Sequence, residues 1–170
     1  MKQFIIALVC VGVWSVGVSQ NKKAIKQFKK DSTEASNYSQ LKALIDSGNY
    51  EFQGDWMYPL GTNRVSLIGN MNKLTISENS ATAQLPFRGT RQFASGGSPG
   101  INFDGPIDAY DVKYHDEERH IEINFNVRQS NENYKVTLKI NSNSYARVHV
   151  ASNKRNSITY SGLVSTIEKI

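Results

Sequence analysis

Two stretches of the sequence decide the fold: IEINFNV at residues 121–127 and KVTLKI at residues 135–140. Apolar and polar residues alternate in both, whereas an amphipathic helix repeats its apolar positions every three or four residues. Successive side chains of a strand point to opposite faces, so each stretch has one face for a core and one for water. This two-sided pattern is typical of antiparallel sheets, because strands of parallel sheets are usually apolar throughout.

The same alternation recurs along most of the chain. Its other apolar positions are Tyr50, Phe52, Trp56 and Tyr58, then Leu74 and Ile76, then Ala81, Ala83, Leu85 and Phe87, then Tyr110, Val112 and Tyr114, then Ala146, Val148 and Val150, then Ile158 and Tyr160. Short polar turns separate these segments, as in hairpins. We predict a mainly β domain, an antiparallel meander of about eight strands. The sequence leaves open whether the sheet curls into a barrel, folds into two layers or is covered by a helix.

The first of these segments is rich in aromatic residues. Tyr50, Phe52, Trp56 and Tyr58 share one parity, which predicts that all four side chains point into the core. The alternative is an exposed platform on which carbohydrate rings stack.

The N-terminal region predicts export. Lys2 is followed by an apolar run from Phe4 to Val18, and the small residues Gly17 and Ser19 have the spacing that signal peptidase reads. We predict cleavage after Ser19, which leaves a periplasmic or secreted protein. The run has about 15 apolar residues, fewer than the roughly 20 of a spanning helix. The cleaved protein is therefore not expected to be an integral membrane protein.

Three regions follow from this boundary. Residues 1–19 are the predicted signal peptide, residues 20–32 a basic, solvated lead-in with five lysines, and residues 33–170 a single β-rich domain. The first element of this domain is a predicted helix over residues 33–47, which Gly48 ends.

The composition narrows the function. Lys and Arg number 20 against 15 Asp and Glu, so the formal charge is +5, and the positive residues are spread along the chain. A nucleic-acid-binding protein concentrates positive charge on one face, so nucleic acid is not an expected partner. The only cysteine, Cys10, lies in the predicted signal peptide. A mature chain without cysteine excludes thiolate catalysis and cysteine metal ligands.

Few residues suggest chemistry. His115 and His120 flank a predicted turn, but no third ligand is fixed beside them, so no metal or other cofactor is expected. Asp104, Asp108 and Asp111 lie close together in the sequence, and glycoside hydrolysis uses two facing carboxyl groups. A hydrolase therefore stays an alternative, without any assigned catalytic residue.

A glycine-rich segment between Phe87 and Pro106 interrupts the alternation. Long loops in compact domains often carry function, although a flexible connection is the alternative. We place the candidate site for a ligand or partner here. Its residues are Arg88, Gly89, Arg91, Gly96, Gly97 and Gly100, together with Arg155 from near the end of the chain.

The run LPFRGTR at residues 85–91 is one of several motifs that follow one another along the chain. The others are the aromatic strand at residues 52–59, the pair Ile101 and Phe103, and the closing residues Arg155, Ile158, Tyr160 and Gly162. Together they resemble an exported bacterial family known as domain of unknown function 4251, although Phe87 stands where tyrosine is commoner and Thr90 precedes the arginine. The resemblance implies an exported, sheet-rich protein and assigns no reaction. It leaves the arginines two roles, which are binding loop carbonyls or contacting a ligand.

The leading hypothesis is a non-enzymatic exported or envelope-associated binding module with an unknown ligand or partner. The alternatives are a hydrolase acting on envelope or dietary polymers and a structural protein that assembles through an exposed edge strand. The sequence does not predict an oligomeric state.

Overall fold

The structure is a computed structural model that describes residues 17–90 and 100–167, with side chains from residue 24 onward. The chain divides into two compact units, with the boundary between Ser36 and Asn37. The predicted signal peptide lies almost entirely outside the described residues. In the described part, no helix combines the length and the apolar content that crossing a membrane requires.

The second unit is a closed antiparallel barrel. The described elements are helix α1 (Gly17–Asp46) and strands β1 (Asn49–Tyr58), β2 (Val65–Ser66), β3 (Lys73–Ser77), β4 (Ser80–Leu85), β5 (Ile101–His115), β6 (His120–Gln129), β7 (Glu132–Asn141), β8 (Tyr145–Ser152) and β9 (Ile158–Ser165). Consecutive strands pair from β3 to β9, and β1 pairs with both β3 and β9, so eight strands close on themselves. The short β2 adds to β1 outside this ring. The predicted meander is confirmed, and of the three arrangements left open the barrel is the one adopted.

The contact between β1 and β9 that closes the barrel depends on glycine. Gly54 lies opposite Gly162 in the register of the two strands. A methyl group on Gly162 would overlap the backbone oxygen of Gln53. The two strands can therefore approach this closely only because Gly162 has no side chain.

A β-bulge follows directly in β1. Gly54 pairs with Gly162 and Trp56 pairs with Ser161, so Asp55 has no partner on β9. One extra residue in one strand of a pair reverses the direction of every side chain after it.

The bulge overturns part of the prediction for the aromatic strand. Tyr50 and Phe52 precede it and are fully buried, as predicted. Beyond it, Met57 is the buried residue, while Trp56 and Tyr58 are only partly buried and lie in register with residues of the outer face. The prediction that all four aromatic side chains point into the core is therefore wrong for Trp56 and Tyr58.

Helix α1 is longer than predicted. It begins at Gly17, not near residue 33, and continues without a break to Asp46. The segment over residues 20–32 contains no proline or glycine and has five lysines and two glutamines, which favour helices. The predicted end is confirmed, because Gly48 adopts the left-handed conformation, with φ 67°, that terminates helices.

The last turns of α1 pack against one end of the barrel. Leu41 and Ile45 are buried in the core. The hydroxyl of Tyr38 donates a hydrogen bond of 2.9 Å to Asp116 in the turn between β5 and β6, and Lys42 pairs with the same carboxylate at 3.0 Å. These contacts fix the end of the helix against the β5–β6 hairpin.

Tyr110 and Tyr114 differ from the prediction that they are core residues. They are 41% and 37% exposed and lie at the same end of the barrel. Their hydroxyl groups form hydrogen bonds with Tyr50 and Asp46, respectively. A tyrosine that covers the end of a barrel keeps its ring against the core and its hydroxyl near water, which explains the partial exposure.

The observed ends of β4 and β5 also differ from the predicted ones. β4 ends at Leu85, so Phe87 is not part of it, and β5 begins at Ile101, so residues 101–106 of the predicted loop are strand. The connection between the two strands is therefore shorter than the sequence pattern indicates.

Candidate functional site

The end of the barrel opposite the α1 contacts is fastened by Arg155, which lies between β8 and β9. Its side chain is buried, and the residue is 7% exposed. Nε and one terminal nitrogen each donate a hydrogen bond of 2.7 Å to a different carboxylate oxygen of Glu132. The other terminal nitrogen donates to the carbonyl oxygen of Gly100 at 2.8 Å. One side chain thus connects β7 to the start of β5.

The same end is packed by aromatic rings. The guanidinium carbon of Arg155 lies 5.2 Å from the ring centre of Phe87 and 5.9 Å from that of Tyr134. The hydroxyl of Tyr160 donates a 2.6 Å hydrogen bond to the carbonyl oxygen of Pro86. Of the two roles left open for Arg155, the observed one is binding loop carbonyls.

The surroundings of Glu132 stabilise the ionised form of its carboxyl group. Burial alone would raise the pKa of this carboxyl group, but hydrogen bonds from Arg155, Ser152 and Tyr134 outweigh it, so the pKa lies below its ordinary value. Glu132 and Arg155 therefore form a buried ion pair at neutral pH.

The predicted candidate residues are only partly brought together. Gly100 meets Arg155, whereas Arg88 and Gly89 are exposed. The remaining predicted residues, Arg91, Gly96 and Gly97, lie outside the described residues.

A groove of about 770 Å³ crosses the outer face of β5–β8 beside this end of the barrel. We call it the outer groove. Its lining residues are Pro106, Ile107, Asp108, Asn126, Val127, Arg128, Asn133, Tyr134, Lys135, Ala151, Ser152 and Asn153.

Pro106 explains why the groove opens here. The backbone N–H of Ile107 donates to Asn79 on the β4 side, so the nitrogen of Pro106 faces β6. Proline has no N–H to donate, and it is tolerated in a sheet only where a ladder ends. The pairing of β5 with β6 accordingly begins at Ile107 and Val127, while residues 101–106 pair with β4. The outer groove lies where β5 and β6 separate.

The groove is lined by side chains that form hydrogen bonds. Asp108, Asn126, Lys135 and Ala151 occupy directly opposed positions on four successive strands. A carboxamide both donates and accepts hydrogen bonds. The row therefore offers a donor and an acceptor at Asn126, between the negative charge of Asp108 and the positive charge of Lys135.

A second row lies closer to the end of the barrel. Nε of Arg128 donates a 3.0 Å hydrogen bond to the side-chain oxygen of Asn133. The backbone N–H of Asn133 donates to the side-chain oxygen of Asn153, also at 3.0 Å. These bonds hold the three side chains in fixed positions, and among the described residues the terminal nitrogens of Arg128 have no hydrogen-bond acceptor.

The three aspartates of the predicted group, Asp104, Asp108 and Asp111, have different surroundings. Asp104 accepts a 2.9 Å hydrogen bond from Thr82, Asp108 lines the outer groove, and Asp111 lies 3.8 Å from Lys113. Among the residues that line the outer groove, Asp108 is the one carboxylate.

The histidines are also accounted for by local contacts. The rings of His115 and His120 stack with centres 4.2 Å apart, and Nδ1 of His120 lies 3.2 Å from Glu118. Burial, with a contribution from nearby Lys139, lowers the pKa of His120. Within the part of the chain that the structure describes, no three side chains are arranged to hold a metal ion.

The sequence pattern does not distinguish the asparagines of the outer groove from other surface residues. The alternation predicts that Asn126 points to water, and Asn133 and Asn153 fall in the polar segments between predicted strands. The residue type could have indicated this site, because asparagine occupies outward positions where surface strands commonly have charged residues. The separation of β5 from β6 had a signal as well, in the proline within a strand.

The fold and site define a small closed barrel of eight antiparallel strands with an N-terminal helix and a polar groove on its outer face. The chain belongs to the DUF4251 family, described as a domain of unknown function, whose profile matches residues 32–164. The resemblance predicted from the sequence motifs is therefore confirmed.

A solved structure supports the fold. The crystal structure of a DUF4251 family protein from Bacteroides eggerthii DSM 20697, at 1.95 Å resolution, is similar with a TM-score of 0.62 and 18% sequence identity. The similarity covers 78% of this chain and 89% of that one. At this identity it concerns the fold alone. No curated protein matches the chain.

The buried ion pair generates a prediction for stability. We expect Glu132→Gln to lower the free energy of unfolding at pH 7 by about 3 kcal/mol, because it leaves the Arg155 charge buried and unpaired. The pKa of Glu132 is lower in the folded protein than in the unfolded chain, where it is near 4.3. The carboxylate therefore contributes its full stabilisation above the unfolded-state pKa, and this stabilisation is lost as the pH falls through the folded-state pKa. The difference between the two proteins should therefore narrow below about pH 4.

Urea unfolding at pH 7, 5 and 3 measures this difference. The matched control is Glu117→Gln, which removes an exposed carboxylate from the β5–β6 turn and should change stability little. A stability difference for Glu132→Gln that is equally large at pH 7 and pH 3 would contradict the role assigned to the ion pair.

Proposed function

We propose that the protein is an exported, non-enzymatic binding module whose ligand occupies the outer groove. The observation that carries this proposal is the concave outer groove of about 770 Å³, lined mainly by hydrogen-bonding side chains. Its volume lies within the range of roughly 300–1,000 Å³ typical of small-molecule sites. A convex outer surface of a barrel would give a ligand no such enclosure.

The lining indicates a polar ligand. Three asparagines, Asn126, Asn133 and Asn153, offer donors and acceptors together, and apolar side chains lie beside them in the lining. Arg128 and Lys135 exceed the single negative charge of Asp108. A ligand with several hydroxyl or amide groups, neutral or weakly anionic, matches this set of partners.

The groove is built on rigid elements. Its residues lie mainly on paired strands, and the hydroxyl of Ser152 donates a 2.7 Å hydrogen bond to Glu132. This bond ties the groove to the buried pair of Glu132 and Arg155. A preformed site loses less conformational entropy when it binds a ligand, which favours a binding role.

The alternatives have less support. A hydrolase acting on envelope or dietary polymers would need a second carboxyl group beside Asp108, and the residues that line the groove do not supply one. Assembly through an edge strand would need a long unpaired edge, whereas among the described strands the one added outside the closed ring is β2, with two residues.

Export is part of the proposal. It rests on the charged start and apolar run that precede Ser19 and on the resemblance to an exported family. We expect the protein isolated from its host to begin at Gln20, which N-terminal sequencing determines. Recovery of a cytoplasmic protein that retains Met1 or starts at Lys2 would contradict export.

Binding in the outer groove is tested by NMR with the isotope-labelled form that begins at Gln20. The probes are cellotriose, chitotriose and the tripeptide Ala-Ala-Ala at millimolar concentration. We expect at least one probe to shift the side-chain amide signals of Asn133 and Asn153. The double variant Asn133→Ala, Asn153→Ala should abolish the remaining shifts in the groove, because it removes two of the three carboxamides.

The control variant is Asn63→Ala, which removes an exposed carboxamide outside the groove and should leave binding unchanged. Shifts that persist in the double variant, or the absence of groove shifts with all three probes, would contradict the proposed site.

A further inference from the structure

A second surface of the barrel combines aromatic rings with unpaired arginines. The bulge at Asp55 places Trp56 and Tyr58 on the outer face of β1, where Trp56 pairs with Ser161 and Tyr58 with Thr159. We call this surface the aromatic face, and it consists of Trp56, Tyr58, Tyr145, Arg64 and Arg147. Its residues lie on β1, on β8 and in the segment before β2, and none of them lines the outer groove.

Two of the rings are held in fixed positions. The hydroxyl groups of Tyr58 and Tyr145 both form hydrogen bonds with the side-chain oxygen of Ser161, at 3.2 and 3.0 Å. Ser161 is 2% exposed because these rings cover it. Trp, Tyr and Arg are the residue types that dominate binding energy at recognition sites, and rigid rings lose little entropy on binding.

Each arginine of the face lies over a ring. The guanidinium carbon of Arg64 is 4.2 Å from the ring centre of Trp56, and that of Arg147 is 5.7 Å from the ring centre of Tyr58. Both distances fall within the range of cation–π contacts. Both arginines are exposed, and within residues 24–90 and 100–167 neither forms an ion pair with a carboxylate. The rings position the two guanidinium groups, whose N–H donors stay available for an anion.

The spacing of the face suggests the ligand. Trp56 and Tyr58 are two residues apart on one strand, so their positions are roughly 7 Å apart. An acidic saccharide carries carboxylates at regular intervals, and its apolar C–H groups can pack against the parts of the rings that the two arginines leave exposed. Two guanidinium groups, each suited to binding a carboxylate with two hydrogen bonds, match such a chain.

Neighbouring residues agree with an acidic ligand. Lys139 lies directly opposite Arg147 on β7 and adds positive charge beside the face. Leu163 pairs with Tyr145 and is 50% exposed, which extends the apolar surface beside the rings. Glu122 pairs with Lys139 from the far side, away from Arg147. From these contacts we propose that the aromatic face binds an acidic oligosaccharide built of uronic acid units, at a site separate from the outer groove.

Tryptophan fluorescence tests this proposal. The sequence has two tryptophans, and the form that begins at Gln20 lacks Trp14, so Trp56 is its only tryptophan. This form retains the whole barrel with its core. We expect titration with hexagalacturonic acid to change the emission of Trp56 to saturation, and cellohexaose, a neutral chain of the same length, to cause no saturable change at equal ionic strength.

Variants locate the site. Arg147→Gln and Arg64→Gln should each raise the dissociation constant for hexagalacturonic acid at least about tenfold, since each removes one charge-assisted hydrogen-bonding group. Lys113→Gln, a matched loss of one positive charge at an exposed position of β5 outside both surfaces, should leave the constant within about twofold. Circular dichroism spectra of all variants should match that of the parent protein.

Three results would overturn the proposal. An equal response to cellohexaose would exclude recognition of the acid groups, and an equal response to a single-stranded oligothymidylate would exclude a saccharide-specific site. Unchanged affinity in both arginine variants would show that the ligand binds elsewhere. The titration reports on Trp56, which lies outside the outer groove. Failure of this proposal would therefore leave the proposed function of the groove untouched, and the reverse also holds.

Discussion

The pairing of β1 with β9 is the contact on which the rest of the structure depends. It joins the first and last long strands of the chain, which are about a hundred residues apart, and turns an open meander into a ring. Closure leaves few unpaired backbone groups at strand edges, so the barrel buries its apolar faces without a second layer. Gly162, which faces Gly54, allows the strands to approach, because a side chain at Gly162 would collide with the opposing backbone.

The bulge next to this contact divides β1 into two halves whose aromatic side chains point to opposite sides of the barrel wall. Before Asp55 the aromatic residues fill the core, and after it they lie on the outer face, where two arginines cover them. Pro106 has a comparable effect on β5, because it ends the pairing with β6 and opens the outer groove. Both surfaces that we propose as binding sites therefore arise where a regular ladder is interrupted, which is common for functional surfaces of β proteins.

The sequence predicts the strands well because alternation is a local property, as in IEINFNV at residues 121–127. Closure and the bulge depend on register between distant strands, which no local pattern contains, and so the orientation of Trp56 was predicted wrongly. The sequence motifs single out Arg155, but its buried partner Glu132 can be recognised only once β7 and the β8–β9 connection are placed side by side. The outer groove needs four strands in position at once. Its asparagines look like ordinary surface residues until then.

A disulfide between β1 and β9 tests closure most directly, since the form that begins at Gln20 has no cysteine of its own. Gln53 and Leu163 are exposed and directly opposed, so in the double variant Gln53→Cys, Leu163→Cys the two Cα atoms should fall within the roughly 4.4–6.8 Å that a disulfide requires. The account predicts rapid, nearly complete cross-linking by a mild oxidant, seen by mass spectrometry after alkylation. Gln53→Cys with Ser165→Cys, two residues out of register, should cross-link poorly. No disulfide in the first variant, or equal yields in both, would contradict a barrel closed in this register.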